Sequence, residues 1–170
     1  MGYKIKLSIK IHCRKFLWKQ GEYGQGEGQF YSPWGAAVDQ QGNFYVADHG
    51  NHRAQKFTSD GEFVSSFGSY GTDGGQLNRP SDVTVDSDGD VYVCDWVNNR
   101  VQAYGPDGKF LVSFVGDAQE LGMWHEQLVA ANADTQKARR RAFNLAREWL
   151  LQKPRGVAFD PVNQRLLIAD

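Results

Sequence analysis

Two stretches of the chain repeat the same polar side chains at the same spacing. DHGNHRAQKF, starting at Asp48, recurs as DWVNNRVQAY, starting at Asp95, so the frame D-x-x-N-x-R-x-Q is kept. Carboxylate and amide oxygens accept hydrogen bonds from turn N–H groups, and a guanidinium donates a fork to carboxylate or carbonyl oxygens. A catalytic role would require several equivalent active sites in one chain. We therefore predict a structural role for Asp48, Asn51, Arg53, Asp95, Asn98 and Arg100.

Few other side chains have the spacing that metal binding or catalysis requires. The acidic turn Asp86–Asp90 resembles part of a calcium-binding loop, but it lacks a later Glu ligand. His49 and His52 lie three residues apart, without a third histidine at a defined position in the repeat. No Ser-His-Asp, Cys-His, phosphate-loop or HExxH arrangement is present. We expect ordinary hairpin turns and surface histidines here, with no metal site, no cofactor and no catalytic residue.

The elements that position these residues follow from a longer repeat. Shifted by 47 positions, the sequence aligns on itself without gaps for about 100 residues. Each unit contains four short strand-like runs, among them NFYVAD and EFVSSF in the first and DVYVCD and KFLVSF in the second. Asp-Gly pairs between the runs supply the positive φ angles of tight hairpins. Four antiparallel strands per repeat of roughly 40–50 residues are typical of a β-propeller blade.

The residues of the repeat also resemble a known family. The pattern V-D-x-x-G-x-x-Y-V-A-D-x-x-N-x-R-x-Q, followed by D-G-x-F and G-x-G-x-G-Q-F-x-x-P-x-G, is similar to the NHL repeat. The similarity covers about residues 16–117 and 154–170. It implies a propeller, most often of six blades, and says little about function.

The repeat predicts one all-β domain over residues 1–170, a partial β-propeller with about three blades' worth of strands and a helical insertion. Its expected divisions are a partial blade and connecting loop at 1–32, blades at 33–79 and 80–118, an insertion at 119–152 and the start of a further blade at 153–170.

The insertion lacks strand alternation and has helical periodicity instead. Asp134 is a candidate N-cap, and Ala138, Ala142, Leu145 and Trp149 then recur at helical spacing. We expect this segment either to pack on the blades or to dock a partner or second copy. The arginine triplet at 139–141 lacks the interleaved aromatics that base stacking would need.

Charge is unevenly distributed. The net charge is -1, yet residues 1–19 carry six Lys or Arg and no acids, while residues 20–133 are strongly acidic. This distribution argues against a nucleic-acid-binding domain. The two cysteines have neither disulfide-framework nor metal-site spacing. No run resembles a membrane span or a signal-peptide core, so we expect no membrane association and leave the compartment open, with cytoplasm as the default.

The residues that differ between the two units are not part of the repeated structural pattern, so they are free to contact another molecule. In propellers of the family that the chain resembles, the segments just before and after the blade-opening Pro, and just after the repeated Asp, meet at one face around the central channel. Exposed Trp, Tyr and Arg suit recognition of proteins or polar ligands. We predict partner contacts by Tyr31, Trp34, His49, Arg79, Trp96 and Arg155. The alternative for Trp34 and Trp96 is packing between blades.

Three blades cannot close a ring. Residues 153–170 match the first two strands of a blade, and residues 5–20 match the last two. Either two copies complete six blades as a homodimer, or the chain is a piece of a longer propeller. We expect a non-catalytic module that binds a protein or ligand through its loop face and that completes a six-bladed ring by dimerisation. The alternative is a lyase-like or lactonase-like propeller enzyme with a metal in the assembled channel.

Overall fold

A computed structural model describes residues 7–8, 19–20, 22–116 and 150–170, in which the regular elements are strands apart from one short 3-10 helix, His49–Asn51. Near the start, β1 (Leu7–Ser8) pairs with β2 (Lys19–Gln20), and β3 (Glu22–Tyr23) pairs with β4 (Gln29–Phe30). The first full sheet contains β5 (Pro33–Val38), β6 (Phe44–Asp48), β7 (Arg53–Phe57) and β8 (Phe63–Phe67). The second contains β9 (Pro80–Val85), β10 (Val91–Asp95), β11 (Arg100–Tyr104) and β12 (Phe110–Phe114). A two-stranded sheet, β13 (Gly156–Asp160) and β14 (Arg165–Ala169), completes the described chain.

Both four-stranded sheets are antiparallel meanders whose strands pair in sequence order. The predicted blade is therefore confirmed in its strand number and order. The residue pattern explains the local structure, because apolar runs are separated by tight turns at which glycine adopts positive φ. Gly61 has φ 91° and Gly108 has φ 83°. Polar side chains close the other turns, as where Asp39 Oδ1 accepts the N–H groups of Gln41 at 3.0 Å and Asn43 at 2.8 Å.

The main core lies between the two full blades. Strand β9 packs against β5 and β6 on one side and against β13 on the other. Tyr45, Phe67, Val83 and Tyr104 are buried in this interface with six smaller residues. Burial of this apolar surface is the main force that holds the blades side by side.

The far side of the second blade is less covered. Phe67 of β8 is 1% exposed, whereas Phe114, its counterpart in β12, is 39% exposed. Among the described residues, only Leu151, Leu166 and Ile168 pack as partly buried apolar neighbours against the inner part of this face, together with buried Val157. The outermost strand of the second blade, β12, is therefore left accessible, whereas β11 is buried.

The helical insertion predicted at 119–152 lies mainly outside the described residues, which omit 117–149. No helix in the described part of the chain is long and apolar enough to cross a membrane.

The short N-terminal pair repeats the geometry of a blade's outer strands. Leu7 pairs with Gln20, as Ala54 pairs with Phe67 and Val101 with Phe114, in successive units 47 positions apart. Backbone register alone thus relates β1 and β2 to the third and fourth strands of a blade.

Candidate functional site

The repeated polar frame forms a clamp on the loop that precedes each blade. In the first blade, Asp48 Oδ2 accepts hydrogen bonds from Asn51 Nδ2 at 2.8 Å, Arg53 Nε at 3.1 Å and Gln55 Nε2 at 3.1 Å. Asp48 Oδ1 accepts the N–H of Tyr31 at 2.8 Å. The carboxylate is fully buried, so these four donors compensate for its lost hydration.

The donors of the clamp also reach the preceding loop directly. Arg53 Nη2 donates to the carbonyls of Gly26 at 2.7 Å and Gln29 at 3.0 Å, and Asn51 Nδ2 donates to that of Gly24 at 2.8 Å. Each Gly carbonyl lies 27 residues before its donor. The clamp therefore fixes the Gly-rich loop, and the ends of the strands beside it, in one position.

The second blade reproduces the clamp. Asp95 accepts from Asn78 N at 2.6 Å, Asn98 Nδ2 at 2.9 Å, Arg100 Nε at 2.7 Å and Gln102 Nε2 at 3.2 Å. The glutamine of the frame was missed as a clamp residue in the sequence prediction. It is fully buried in both blades, as Gln55 and Gln102. Its recurrence at a fixed position was the available signal.

The start of β5 and the turns after β6 and β10 bring three predicted contact residues together. The indole of Trp34 stacks on the imidazole of His49, with ring centroids 3.8 Å apart and planes 9° apart. Trp96 lies 5.8 Å from both rings. Lys153 Nζ lies 5.3 Å from the centre of the Trp96 ring, and nothing in its sequence context had singled it out. We call Trp34, His49 and Trp96 the aromatic ridge.

The ridge combines fixed and exposed parts. His49 is buried, and its Nδ1 donates to the Pro80 carbonyl at 3.1 Å, which ties the first blade to the second. Trp34 is 55% exposed. The indole N–H of Trp96 is buried and has no hydrogen-bond partner among the described residues. The same cluster thus contains a residue that packs between blades, His49, and one that is exposed to solvent, Trp34.

The other predicted contact residues lie around the ridge in different settings. The Tyr31 carbonyl accepts the Gly50 N–H at 2.7 Å, and the Tyr31 ring packs on Tyr23 at 5.4 Å. The Arg79 side chain is exposed, and the backbone N–H of Arg79 donates to His52 Nδ1 at 3.1 Å. Arg155 is also exposed, and its backbone N–H donates to Ala169 O at 2.8 Å.

The joint between blades has two chemically different versions. His52 accepts the Arg79 N–H, whereas at the next joint Asn99 Oδ1 accepts the Lys153 N–H at 2.9 Å. All four residues have left-handed backbones, with φ between 55° and 58°. Burial lowers the pKa of His52, and the charge of Arg79 lowers it further. The pKa of His49 is lowered by burial first, and then by Arg79 and His52.

Asp82 of β9 occupies the position at which β5 and β13, the first strands of the neighbouring sheets, have Gly35 and Gly156. A Cβ on Gly35 would lie 2.1 Å from Asp82 Oδ1, and Gly156 lies on the opposite side. Asp82 Oδ2 accepts the Val157 N–H at 3.0 Å, which links the second blade to β13. Burial raises the pKa of this carboxyl. No repeated pattern singled out Asp82, because the equivalent position of the first repeat is Gly35.

These sheets define the class of the protein as a repeat protein with β-propeller blades. The NHL repeat model matches residues 30–57 and 77–104, once for each full blade. The chain therefore contains two NHL repeats, and the resemblance inferred from the sequence is confirmed.

Similar curated proteins match over short segments. Protein lin-41 of Caenorhabditis elegans is 49% identical over 45 residues, which cover 26% of this chain and 4% of that protein. Protein brain tumor of Drosophila melanogaster is 43% identical over 65 residues, 38% of this chain and 6% of that protein. The E3 ubiquitin-protein ligase TRIM71 of Rattus norvegicus is 46% identical over 43 residues, 25% of this chain and 5% of that protein. The chain thus spans a small fraction of these relatives.

Solved structures resemble the chain at low sequence identity. A catalytically inactive virginiamycin B lyase from Staphylococcus aureus with quinupristin has a TM-score of 0.49 and 14% identity, covering 81% of this chain and 34% of that one. A protein of unknown function from Bacteroides caccae has a TM-score of 0.46 and 18% identity, covering 81% and 38%. No function is inferred from likeness at this level.

Proposed function

We propose that the chain is a non-catalytic NHL-repeat module that binds a protein partner through the loop face bearing the aromatic ridge. The observation that carries the proposal is that repeated and unrepeated residues of each blade have different roles. The repeated residues form the buried clamp of Asp48 and its counterpart Asp95. The residues that vary beside them include Trp34, which is 55% exposed at the start of β5, next to the loop that the clamp holds.

A rigid, partly exposed indole is suited to protein recognition. Tryptophan buries a large area at a small cost in conformational entropy, and it is frequent among residues that dominate binding energy. The loops need little further ordering on binding, because their backbone groups are already hydrogen-bonded to Arg53 and Asn51.

The test compares two exposed apolar residues at opposite ends of the blades. Trp34→Ala removes the exposed indole, and Val162→Ala changes an 86% exposed side chain in the turn between β13 and β14. Partners captured by the wild-type chain should be lost with Trp34→Ala and kept with Val162→Ala, and a purified partner should show the same difference by calorimetry. Equal retention by both variants would refute binding at the loop face. Circular dichroism checks that both variants fold.

Self-association is a second part of the proposal. We propose that β1 and β2 of one copy add to β14 of another, completing a blade across a homodimer. Strand β14 pairs only with β13 among the described residues, so one of its edges is open. Strands β1 and β2 have the register of third and fourth strands, and addition there would cover Phe114.

Light scattering at micromolar concentration should then give twice the chain mass. Phe114→Asp should convert the dimer to a monomer, because the partner's strands would bury that position, whereas Val162→Asp should leave the mass unchanged. A folded wild-type monomer would rule out the dimer.

The alternative of a lyase-like or lactonase-like enzyme needs a metal in the channel. Within residues 22–116 and 150–170, no three His, Cys, Asp or Glu side chains converge in a group that could hold a metal ion. Stoichiometric zinc or calcium in the purified protein would favour this alternative over the binding module.

A further inference from the structure

The two ends of the blades differ in charge. In each full blade the connections after the first and third strands lie at one end, and those after the second and fourth strands lie at the other. We call these the turn end and the loop end. The turn end carries eight acids, namely Asp39, Asp60, Glu62, Asp86, Asp88, Asp90, Asp107 and Asp160. The bases at or next to these turns are Lys109 and Arg165, which are paired with acids of the same turns, and Lys56, whose Nζ lies 5.2 Å from the centre of the Tyr45 ring.

The loop end has the opposite character around the aromatic ridge. Arg79, Lys153 and Arg155 are exposed, and none forms an ion pair with another described residue. The buried acids there, Asp48 and Asp95, already have guanidinium partners.

The other acids of the loop end are exposed on or beside the Gly-rich loops, or have donors of their own. Glu22 is in β3, and Glu27 and Asp73 are in the Gly-rich loops, at the backbone segments that the clamp arginines contact. Asp170 accepts the N–H of Gln152 at 2.8 Å, and Asp82 accepts that of Val157. The charged groups that act on the His49 ring are Arg79 and His52, with no acid among them.

We infer that the partner of the loop face is an acidic polypeptide segment in which carboxylates alternate with aromatic or aliphatic side chains. This inference rests on the proposed function and specifies its partner. The apolar side chains would pack on Trp34 and Trp96, and the carboxylates would pair with Arg79, Lys153 and Arg155. Complementary charge steers such a segment to the loop end and away from the acidic turn end.

A nucleic acid fits the same chemistry less well. Its phosphates form a continuous chain of charge, and affinity grows with the number of phosphates that Lys and Arg neutralise. Residues 22–116 and 150–170 contain fifteen Asp and Glu against eight Lys and Arg, so their field repels an extended polyanion. A short acidic peptide presents its few charges only at the ridge.

The probes are short fluorescein-labelled peptides in which Glu and Asp alternate with Tyr and Leu, read by fluorescence anisotropy with the full chain. The comparison probes are the same peptides with Gln and Asn in place of the acids, and a single-stranded RNA of equal length. We expect saturable binding of the acidic peptide, weakened about tenfold by neutralisation of its carboxylates and reduced by added salt.

Variants locate the binding. Arg79→Glu and Lys153→Glu should each weaken binding of the acidic peptide about three- to fivefold, because each replaces an attraction by a repulsion. Arg79→Gln should have a smaller effect, which separates charge from backbone strain at this left-handed residue. Lys109→Glu is the matched control, since Lys109 is exposed at the turn end, and it should leave binding unchanged.

Each contrary result has its own meaning. If acidic and neutral peptides bind equally and Trp34→Ala abolishes both, the acidic partner is refuted while the loop-face module stands. If the RNA binds more tightly than the acidic peptide, the partner is not a polypeptide. If Lys109→Glu weakens binding as much as Arg79→Glu, or no saturable binding of the acidic peptide occurs, the inference fails.

Discussion

The clamp makes a quantitative prediction about a single atom. Asp95→Asn keeps the size and shape of the side chain but replaces one carboxylate oxygen by an NH2 group. In the native clamp, Oδ2 accepts from Asn98, Arg100 and Gln102, and Oδ1 accepts from the N–H of Asn78. Whichever oxygen becomes NH2, a donor then faces at least one other donor. Arg100 also loses its anionic partner.

The cost follows from burial. Asp95 is fully buried and the Arg100 side chain is 12% exposed, so water compensates little for the lost contacts. Removing one member of a buried ion pair typically costs about 3–5 kcal/mol. We expect a loss of that size in the free energy of unfolding, which is a large part of the roughly 5–15 kcal/mol that stabilises a typical domain.

Urea unfolding monitored by circular dichroism measures this loss. Asp107→Asn is the control, because the Asp107–Lys109 pair is exposed and should contribute nothing measurable. Hydrogen exchange adds a local readout, since the N–H of Asn78 should lose protection in Asp95→Asn even if the sheet survives. A change indistinguishable from that of Asp107→Asn, with Asn78 still protected, would show that the clamp does not hold the loop.

Two further predictions concern the joints between blades. The pKa of His52 is lowered in the folded state, so the unfolded chain binds the proton first, and stability should fall as the pH decreases below the ordinary value of 6.5. His52→Asn replaces the imidazole by an amide oxygen acceptor, the group that Asn99 provides at the next joint. This variant should lose less stability at low pH, as measured by thermal unfolding at several pH values. An unchanged pH profile would contradict the role of His52. Gly35→Ala should cost about 1–3 kcal/mol, because its Cβ would meet the Asp82 Cα at 2.6 Å, whereas the nearest atom to a Cβ on Gly156 is 3.6 Å away. Gly156→Ala should therefore be tolerated, and equal effects of the two in urea unfolding would argue against this packing.

The blades were predictable because their signals are local and repeated. Period-two alternation and Asp-Gly turns determine each hairpin, and the 47-residue self-match shows that the hairpins recur as one unit. The polar frame was equally visible, since a buried carboxylate needs fixed donors and therefore fixed spacing. The acceptors to which these side chains donate could not be predicted from the sequence. Arg53 reaches carbonyls of the preceding loop, and carbonyl groups are common to every residue type.

Contacts made by unrepeated residues were less accessible from sequence. The stacking of Trp34 on His49 depends on the irregular pairing at the end of β5 and β6, where Pro33 lies opposite Asp48 and the register shifts. Asp82 bridges three inner strands because its neighbours happen to be glycine and backbone N–H groups. Neither arrangement has a periodic signature, so only the packing of complete blades reveals it.

The direction of the clamp has a consequence for how such chains can be cut, copied or joined. Because the donors that secure a linker belong to the sheet that follows it, a sheet excised at its first strand leaves its Asn and Arg without their loop carbonyls and its Asp without one of its four donors. The transferable module therefore begins near Glu22 in the first case and near Gly68 in the second, ahead of the glycines. Blades transferred with these boundaries should keep the hydrogen bonds between the clamp and its loop, whereas blades cut at Pro33 or Pro80 should lose them.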